Sequence, residues 1–118
     1  MCLKISNGFG EPQIATEDLI VYKVLKSISD KFTTPYQNTV IKIGCTYTSE
    51  FSFNFFGDIE KGLHSYVSLD NARYDAMGYI IKRVICKCLI PKGSRYYQGL
   101  FGKYKSIASD KLTYLEII

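Results

Sequence analysis

The sequence contains a single histidine, no tryptophan and no long apolar run, and each absence narrows what the chain can be. Since no segment approaches ~18 consecutive apolar residues, no transmembrane helix is predicted and no membrane partner is expected. The first residues, MCLKISNGFGEPQ, lack the apolar core of a secretory signal. We therefore expect a soluble, cytoplasmic protein.

The local motifs of common enzymes and nucleotide sites are also missing. No G-x-x-x-x-G-K-S/T is present, and the G-x-G at Gly8 and Gly10 lacks the third glycine and the helix that should follow. No G-x-S-x-G or cysteine-centred signature surrounds a nucleophile. An imidazole base could only be His64. The sequence thus gives little support to a nucleophilic hydrolase, and no catalytic residue is assigned.

Four cysteines without a secretory signal favour reduced thiols over disulfides. Cys86 and Cys88 are two residues apart on a predicted strand, so their side chains point the same way. They do not form a C-x-x-C pair, and a zinc site would need further ligands from His64 and from Cys45 or Cys2. Buried free thiols are the favoured interpretation, and we predict no metal site and no cofactor.

The length of 118 residues and the apolar content of 47% indicate one globular domain over residues 1–118. The net charge is +4, and the basic residues are scattered. Strand alternation places Arg83, Ile85, Lys87 and Leu89 on a single face, which favours a solvated sheet face. A small anionic ligand is the second interpretation. A long nucleic acid, which needs clustered cations, is the least favoured.

Alternating apolar residues and turn signals predict about six strands. The candidates are Cys2–Ser6 as an edge strand, Asp18–Lys26, Asn38–Tyr47, the segment beginning GLHSY at Gly62, Val84–Ile90, Arg95–Gln98 and Lys111–Ile118. Between them, SEFSFNFFGDIEKG is either a strand that turns at Gly57 or a loop that adds aromatic rings to the core. Ser106–Asp110 is predicted to be a polar turn.

One helix is predicted after GLHSY, with Ser68 as its N-cap and Asp70 in its first turn. Its apolar stripe comprises Leu69, Ala72, Ala76 and Tyr79 or Ile80, and Gly78 is expected to end or fray it. We therefore predict an α+β fold: a single domain with a mostly antiparallel, twisted sheet of about six strands and one or two helices packed on it.

The GLHSY segment carries the strongest candidate site. His64 and Tyr66 lie two residues apart on one face of a strand, so an imidazole and a phenol project side by side. Together they offer a donor, an acceptor and a stacking surface for a planar ring. The alternative is a structural histidine that donates to a backbone carbonyl beneath a loop. Tyr96 and Tyr97 must point to opposite faces, so at least one is expected at an interface or ligand site.

The order YKV (Tyr22–Val24), TPY (Thr34–Tyr36), GLHSY, IPKGSRYYQG and SIASDKL resembles small uncharacterised proteins of phages and mobile elements of gut bacteria, over most of the chain. That family supplies no function.

A more distant resemblance is to a minimal ADP-ribosyltransferase core. It implies that Lys23 matches the nicotinamide-nucleotide contact, that Ser65 or Ser68 matches the middle serine, and that Asp110 or Glu116 matches the catalytic acid. Lysine stands where arginine or histidine is usual, and neither E-x-E nor Q-x-E is present. A non-catalytic relative that keeps a nucleotide-like pocket fits these departures better than an active enzyme.

We therefore expect a phage-type protein that binds a small anionic, nucleotide-derived ligand and sequesters a host signalling nucleotide in the host cytoplasm, an extension by analogy. The alternatives are a reduced ADP-ribosyltransferase or NAD-cleaving enzyme, and a module that contacts a host protein through its tyrosines, for which a homo-oligomer is an option. The predicted ligand-binding residues are His64, Tyr66 and Tyr36 for the ring, Lys23, Lys92 and Arg95 for phosphate, and also Tyr97 and Ser109.

Overall fold

Strands dominate the described part of the chain, and a single short helix interrupts them. The structure, a computed structural model, describes residues 3–5, 11–35 and 37–118. The strands are, in chain order, β1 (Lys4–Ile5), β2 (Gln13–Ile14), β3 (Leu19–Ile28), β4 (Lys31–Thr33), β5 (Val40–Ile41), β6 (Thr46–Thr48), β7 (Ser52–Phe53), β8 (Ile59–Lys61), β9 (Leu63–Tyr66), β10 (Arg83–Ile90), β11 (Arg95–Phe101), β12 (Tyr104–Ser109) and β13 (Lys111–Ile117). The helix, α1 (Leu69–Ala76), lies between β9 and β10.

Eleven of these strands form one antiparallel sheet. Its main order is β1-β11-β12-β9-β3-β10-β13-β6, with β2 paired to β11, β4 to β3, and β5 to β4. The other two strands, β7 and β8, form a hairpin of their own. The predicted α+β fold with about six strands and one or two helices is therefore wrong: the chain is mostly β, with one helix of eight residues in its described part.

Two segments account for much of the difference between the predicted and the observed strands. The predicted strand Asn38–Tyr47 is divided, because Gly44 adopts a positive φ of +90° and turns the chain between β5 and β6. Ser106–Asp110 is not a turn, since all but Asp110 belongs to β12. Buried serines are tolerated in this strand because their hydroxyls donate to backbone carbonyls: Ser106 to Tyr104 at 3.1 Å and Ser109 to Leu63 at 3.4 Å.

The predicted N-cap of the helix is confirmed. The Ser68 hydroxyl accepts a hydrogen bond from the backbone N–H of Asn71 at 3.4 Å. The helix ends at Ala76, earlier than the predicted stripe, because Met77 is already extended. Tyr79 and Ile80 therefore lie outside the helix, and both are exposed.

Both faces of the central strands β3 and β10 are covered. On one face, Val21, Leu25, Cys86, Cys88 and Tyr114 belong to the largest core cluster. The two cysteines are buried free thiols, as predicted, whereas Cys45 is exposed.

The other face of β3 and β10 carries α1, and Val24, Ala72, Ile85 and Tyr66 pack together there. The predicted solvated face is wrong at Ile85, which is buried against α1, while Arg83, Lys87 and Leu89 on the same face are half-buried. No helix of the described chain combines the length and the apolar character that a membrane span requires.

Candidate functional site

A cavity lies where neighbouring strands β3 and β9 separate. β3 pairs with β10 along eight residues but with β9 only at Tyr22 and Tyr66. β9 instead pairs with β12 over four residues. The resulting gap is a partly open cavity of about 140 Å³, and its lining includes Lys23, His64, Ser65, Tyr66, Asp75 and Phe101.

Lys23 bridges this gap. Its Nζ donates a hydrogen bond of 2.7 Å to the carbonyl oxygen of His64. Burial lowers the pKa of Lys23 to about 8, against the opposing pull of Cys88 and Asp75. The side chain is therefore still mostly cationic at pH 7, and its two remaining N–H donors are available to the cavity.

His64 is a second polar residue in the lining of the cavity. Its Nδ1 lies 3.1 Å from the carbonyl oxygen of Gly62, so Nδ1 carries the hydrogen and donates it. Burial and the charge of Lys23 lower the pKa of His64 to about 4, and they outweigh the opposing effect of the Gly62 and Ile59 carbonyls. The ring is thus neutral at pH 7, and its buried Nε2, which has no hydrogen-bond partner among the described residues, is an acceptor.

A second polar atom of the cavity is also without a partner. The hydroxyl of Ser65 is buried and makes no hydrogen bond to any described residue. A buried polar atom left unpaired costs about 1–3 kcal/mol. His64 and Ser65 are consecutive residues of β9, so their side chains leave the strand on opposite faces, and both residues line the cavity.

The wall beside His64 is aromatic. The ring of Phe101 lies 5.9 Å from the imidazole and 6.2 Å from the ring of Tyr66, and Tyr66 in turn meets Tyr104 edge to face at 5.9 Å. Two carboxylates, Glu60 and Asp75, also line the cavity. The cavity thus combines an apolar wall, one cation, two acids and an unpaired acceptor.

Three of the predicted ligand-binding residues meet here: Lys23, His64 and Tyr66. His64 is half-buried and Tyr66 is only 7% exposed. Tyr36 lies outside the described residues, although its neighbours Pro35 and Gln37 line the cavity.

The two cations predicted to accompany Lys23 do not line this cavity. Lys92 is exposed in the turn between β10 and β11, and its backbone N–H donates to Asp18 at 2.8 Å. Arg95 is exposed at the start of β11, and its backbone N–H donates to Asp110 at 2.9 Å.

The remaining two predicted residues are buried elsewhere. Tyr97 packs edge to face against Phe51 and Phe53, at 5.0 and 5.7 Å, and Ser109 is fully buried. Tyr96, on the opposite face of β11, packs against the main core. Tyr97 is thus buried and Tyr96 is half-buried, so neither meets the expectation of an exposed tyrosine, although Gln98 and Leu100 on the Tyr96 face are exposed.

The acids matched by the distant resemblance do not reach the cavity either. Asp110 accepts the Arg95 N–H, and Glu116 lies opposite Lys87 in the pairing of β13 with β10. The acids that do line the cavity are Glu60 and Asp75, and neither is among the predicted site residues. For Asp75 a signal was present: it follows Ala72 by three residues and precedes Ala76, which places a carboxylate beside the apolar stripe of the helix. Phe101 had no such signal.

Comparisons with known proteins do not add to this picture: no family model, curated protein or solved structure matches the chain. Among the described residues, no group of three or more histidine, cysteine or acidic side chains is placed to hold a metal ion.

Proposed function

We propose that the protein binds a small nucleotide-derived ligand whose planar, uncharged ring occupies the cavity between β3 and β9. The observation that carries the proposal is the buried, unpaired Nε2 of a neutral His64 beside the ammonium of Lys23. An acceptor and a cationic donor side by side are complementary to a ligand that carries a hydrogen-bond donor and an acceptor close together. The edges of nucleobases present donors and acceptors in this way.

The chemistry of the cavity supports a ring rather than a phosphate inside it. A ring N–H or amino group would donate to Nε2 of His64. The free N–H donors of Lys23 and the hydroxyl of Ser65 would serve a ring carbonyl or ring nitrogen. The carboxylates of Glu60 and Asp75 would repel a phosphate placed at the same point.

The size of the cavity agrees with one ring. Its volume is about 140 Å³, close to the ~150 Å³ of an engineered cavity that accepts benzene. A whole nucleotide does not fit in such a space. The sugar and phosphate of the ligand would therefore extend outward through the open side, past Thr34 and Gln37.

The physiological role that we propose is sequestration of a signalling nucleotide. It is motivated by the likeness to phage proteins and by the absence of a matched catalytic acid in the cavity. Binding alone is sufficient for that role, because removing free ligand needs affinity and no turnover.

A second candidate function is contact with another protein, and an exposed aromatic pair favours it. Phe55 and Phe56 are 96% and 78% exposed at the tip of the β7–β8 hairpin, with ring centroids 5.6 Å apart. Exposed large aromatic side chains are enriched at interfaces. Sedimentation analysis of the wild type and of a Phe55→Ser, Phe56→Ser variant tests whether the pair joins copies of this chain; a monomer in both cases excludes that form of the candidate.

Isothermal titration calorimetry tests the ligand proposal. The probes are a panel of nucleosides, nucleoside 5′-monophosphates, cyclic dinucleotides and ADP-ribose. We expect one chemical class to bind, and His64→Phe to weaken it about tenfold, because one hydrogen bond of about 1–1.5 kcal/mol is lost.

Lys23→Met and Lys92→Met form the matched pair for the cation, since both remove one lysine charge and only Lys23 lines the cavity. The first is expected to weaken binding and the second to leave it unchanged. No heat with any probe, or equal losses for the two lysine variants, contradicts the proposal.

A further inference from the structure

Three polar side chains form a row beside the cavity, on the face of the sheet that α1 covers. Arg83 of β10 lies directly opposite Lys26 of β3, and Lys26 lies directly opposite Thr33 of β4. Side chains of directly opposite residues in antiparallel strands project from the same face, with their Cβ atoms about 5 Å apart. Pairing thus brings two cations and a hydroxyl together although they are far apart in the sequence.

Arg83 is half-buried and lacks a counter-charge. Its Nε and Nη1 are buried and have no hydrogen-bond partner in the part of the chain that the structure describes. The one ion pair found in residues 3–5, 11–35 and 37–118 joins Arg73 to Asp70, so no described acid serves Arg83. A desolvated cation without an anion is unfavourable, and in native structures such a group is usually paired.

The guanidinium is nevertheless held in place. Its central carbon lies 3.5 Å from the centroid of the Tyr79 ring, which stacks on it as a cation–π contact. Tyr79 comes just after α1 and stacks on the face of the guanidinium, so this contact leaves the in-plane N–H donors of Nε and Nη1 unblocked. In-plane guanidinium donors are the groups with which arginine binds phosphate and carboxylate.

The other two members of the row complete a set of donors. The hydroxyl of Thr33 is buried and has no hydrogen-bond partner within residues 3–5, 11–35 and 37–118. The ammonium of Lys26 donates to the Asn38 side chain and retains two further N–H donors. We propose that Arg83, Lys26 and Thr33 form an anion site that takes the phosphate group of a ligand.

The anion site adjoins the mouth of the cavity. Val24 lines the cavity and shares its face of β3 with Lys26, about 7 Å further along the strand. Thr34, which follows Thr33, lines the cavity as well. A nucleotide with its ring beside His64 would therefore carry its phosphate toward Arg83. This link between the two sites rests on the proposed function; the anion site itself does not.

The test separates the two sites by titrating three probes into the full chain: inorganic phosphate, nucleosides, and the matching nucleoside 5′-monophosphates. The chain has three arginines, so the Nε–H signals in ¹H–¹⁵N spectra can be assigned with an Arg83→Lys variant. We expect phosphate alone to shift the Arg83 signal, and the monophosphate to bind at least about tenfold more tightly than its nucleoside, as for charge-assisted hydrogen bonds.

Arg83→Gln and Lys26→Gln should each remove most of the gain from the phosphate and leave nucleoside binding unchanged. Lys87→Gln is the matched control, because Lys87 lies on the same strand and the same face as Arg83. If Arg83→Gln does not fold, Lys26→Gln decides the question by itself. Equal phosphate binding by Lys26→Gln and Lys87→Gln, or an Arg83 signal that phosphate leaves in place, overturns the anion site.

Failure of the proposed function gives a different result. In that case phosphate still shifts the Arg83 signal, but no nucleoside binds and His64→Phe changes nothing. Free phosphate and a phosphate ester are also distinguished: if inorganic phosphate binds as tightly as every monophosphate, the anion site stands and the link to the cavity fails.

Discussion

The ammonium of Lys23 donates a 2.7 Å hydrogen bond to the carbonyl oxygen of His64, across the gap where β3 and β9 separate. β3 and β9 pair through their backbones only at Tyr22 and Tyr66. Beyond that point, the Lys23 side chain connects the two strands. The same contact brings a positive charge close to the imidazole of His64, and that charge helps to keep the ring neutral.

Replacing Lys23 by methionine tests the energetic cost of this arrangement. Burial lowers the pKa of Lys23 from 10.5 to about 8, so between these values the unfolded chain binds more protons than the folded one. The free energy of unfolding should therefore rise with pH from about 8 to 10.5, by at most about 3 kcal/mol.

In Lys23→Met the rise in the free energy of unfolding between pH 8 and 10.5 should be absent. At pH 7 the variant should be no less stable than the wild type, although it lacks the hydrogen bond to His64. Urea unfolding at a series of pH values measures both effects. A variant with the same pH slope as the wild type contradicts the assignment.

The acid side of the stability profile should report His64. Its pKa is lowered from 6.5 to about 4, so the contribution of the neutral ring is fully present above pH 6.5 and is lost as the pH falls toward 4. The expected loss is about 3 kcal/mol.

Because carboxylates titrate in the same range, the measurement is the difference between wild type and His64→Phe, followed by thermal or urea unfolding from pH 7 to 4. His64→Phe should lose less stability than the wild type over this range. Parallel profiles would mean that the ring is already accessible and titrates normally.

Two buried serines offer a matched comparison of paired and unpaired hydroxyls. Ser65 is 4% exposed and its hydroxyl has no partner, whereas Ser109 is fully buried and donates to Leu63 at 3.4 Å. Ser65→Ala should be neutral or stabilising by about 1 kcal/mol, and Ser109→Ala should destabilise by about 1 kcal/mol.

Chemical denaturation of both variants gives the comparison. Ser65→Ala should also weaken the binding of any ligand that occupies the cavity, while Ser109→Ala should not. If the two alanine variants lose the same free energy of unfolding, the Ser65 hydroxyl already has a hydrogen-bond partner in solution and is not an open contact for a ligand.

The local features of this fold are readable from the sequence. The alternation in Leu19–Ile28 and Arg83–Ile90 predicts their strands, and the hydroxyl of Ser68 predicts where the helix begins. The number of strands is not readable in this way, because β1, β2, β5 and β7 have only two residues each and carry no period. They are strands because longer neighbours pair with them.

The site shows the same division. The spacing of His64 and Tyr66 on one strand predicts a shared face, and the structure places both on one cavity. The row of Arg83, Lys26 and Thr33 depends on the register between three strands, which no local pattern contains. Lys92 and Arg95 are cations that the sequence offers as phosphate ligands. In the structure they lie at the turn between β10 and β11, which is not part of the cavity.

The most direct test of the central claim uses the fact that the chain has one histidine. In ¹⁵N spectra of the imidazole at pH 7, His64 should be neutral, with its hydrogen on Nδ1 and an unprotonated Nε2. Titration with the nucleoside 5′-monophosphate panel should then shift the Nε2 signal, for at least one member, in the direction of an accepted hydrogen bond, and saturate. A ring that is protonated at pH 7, or an Nε2 signal that no member of the panel moves, would contradict the claim.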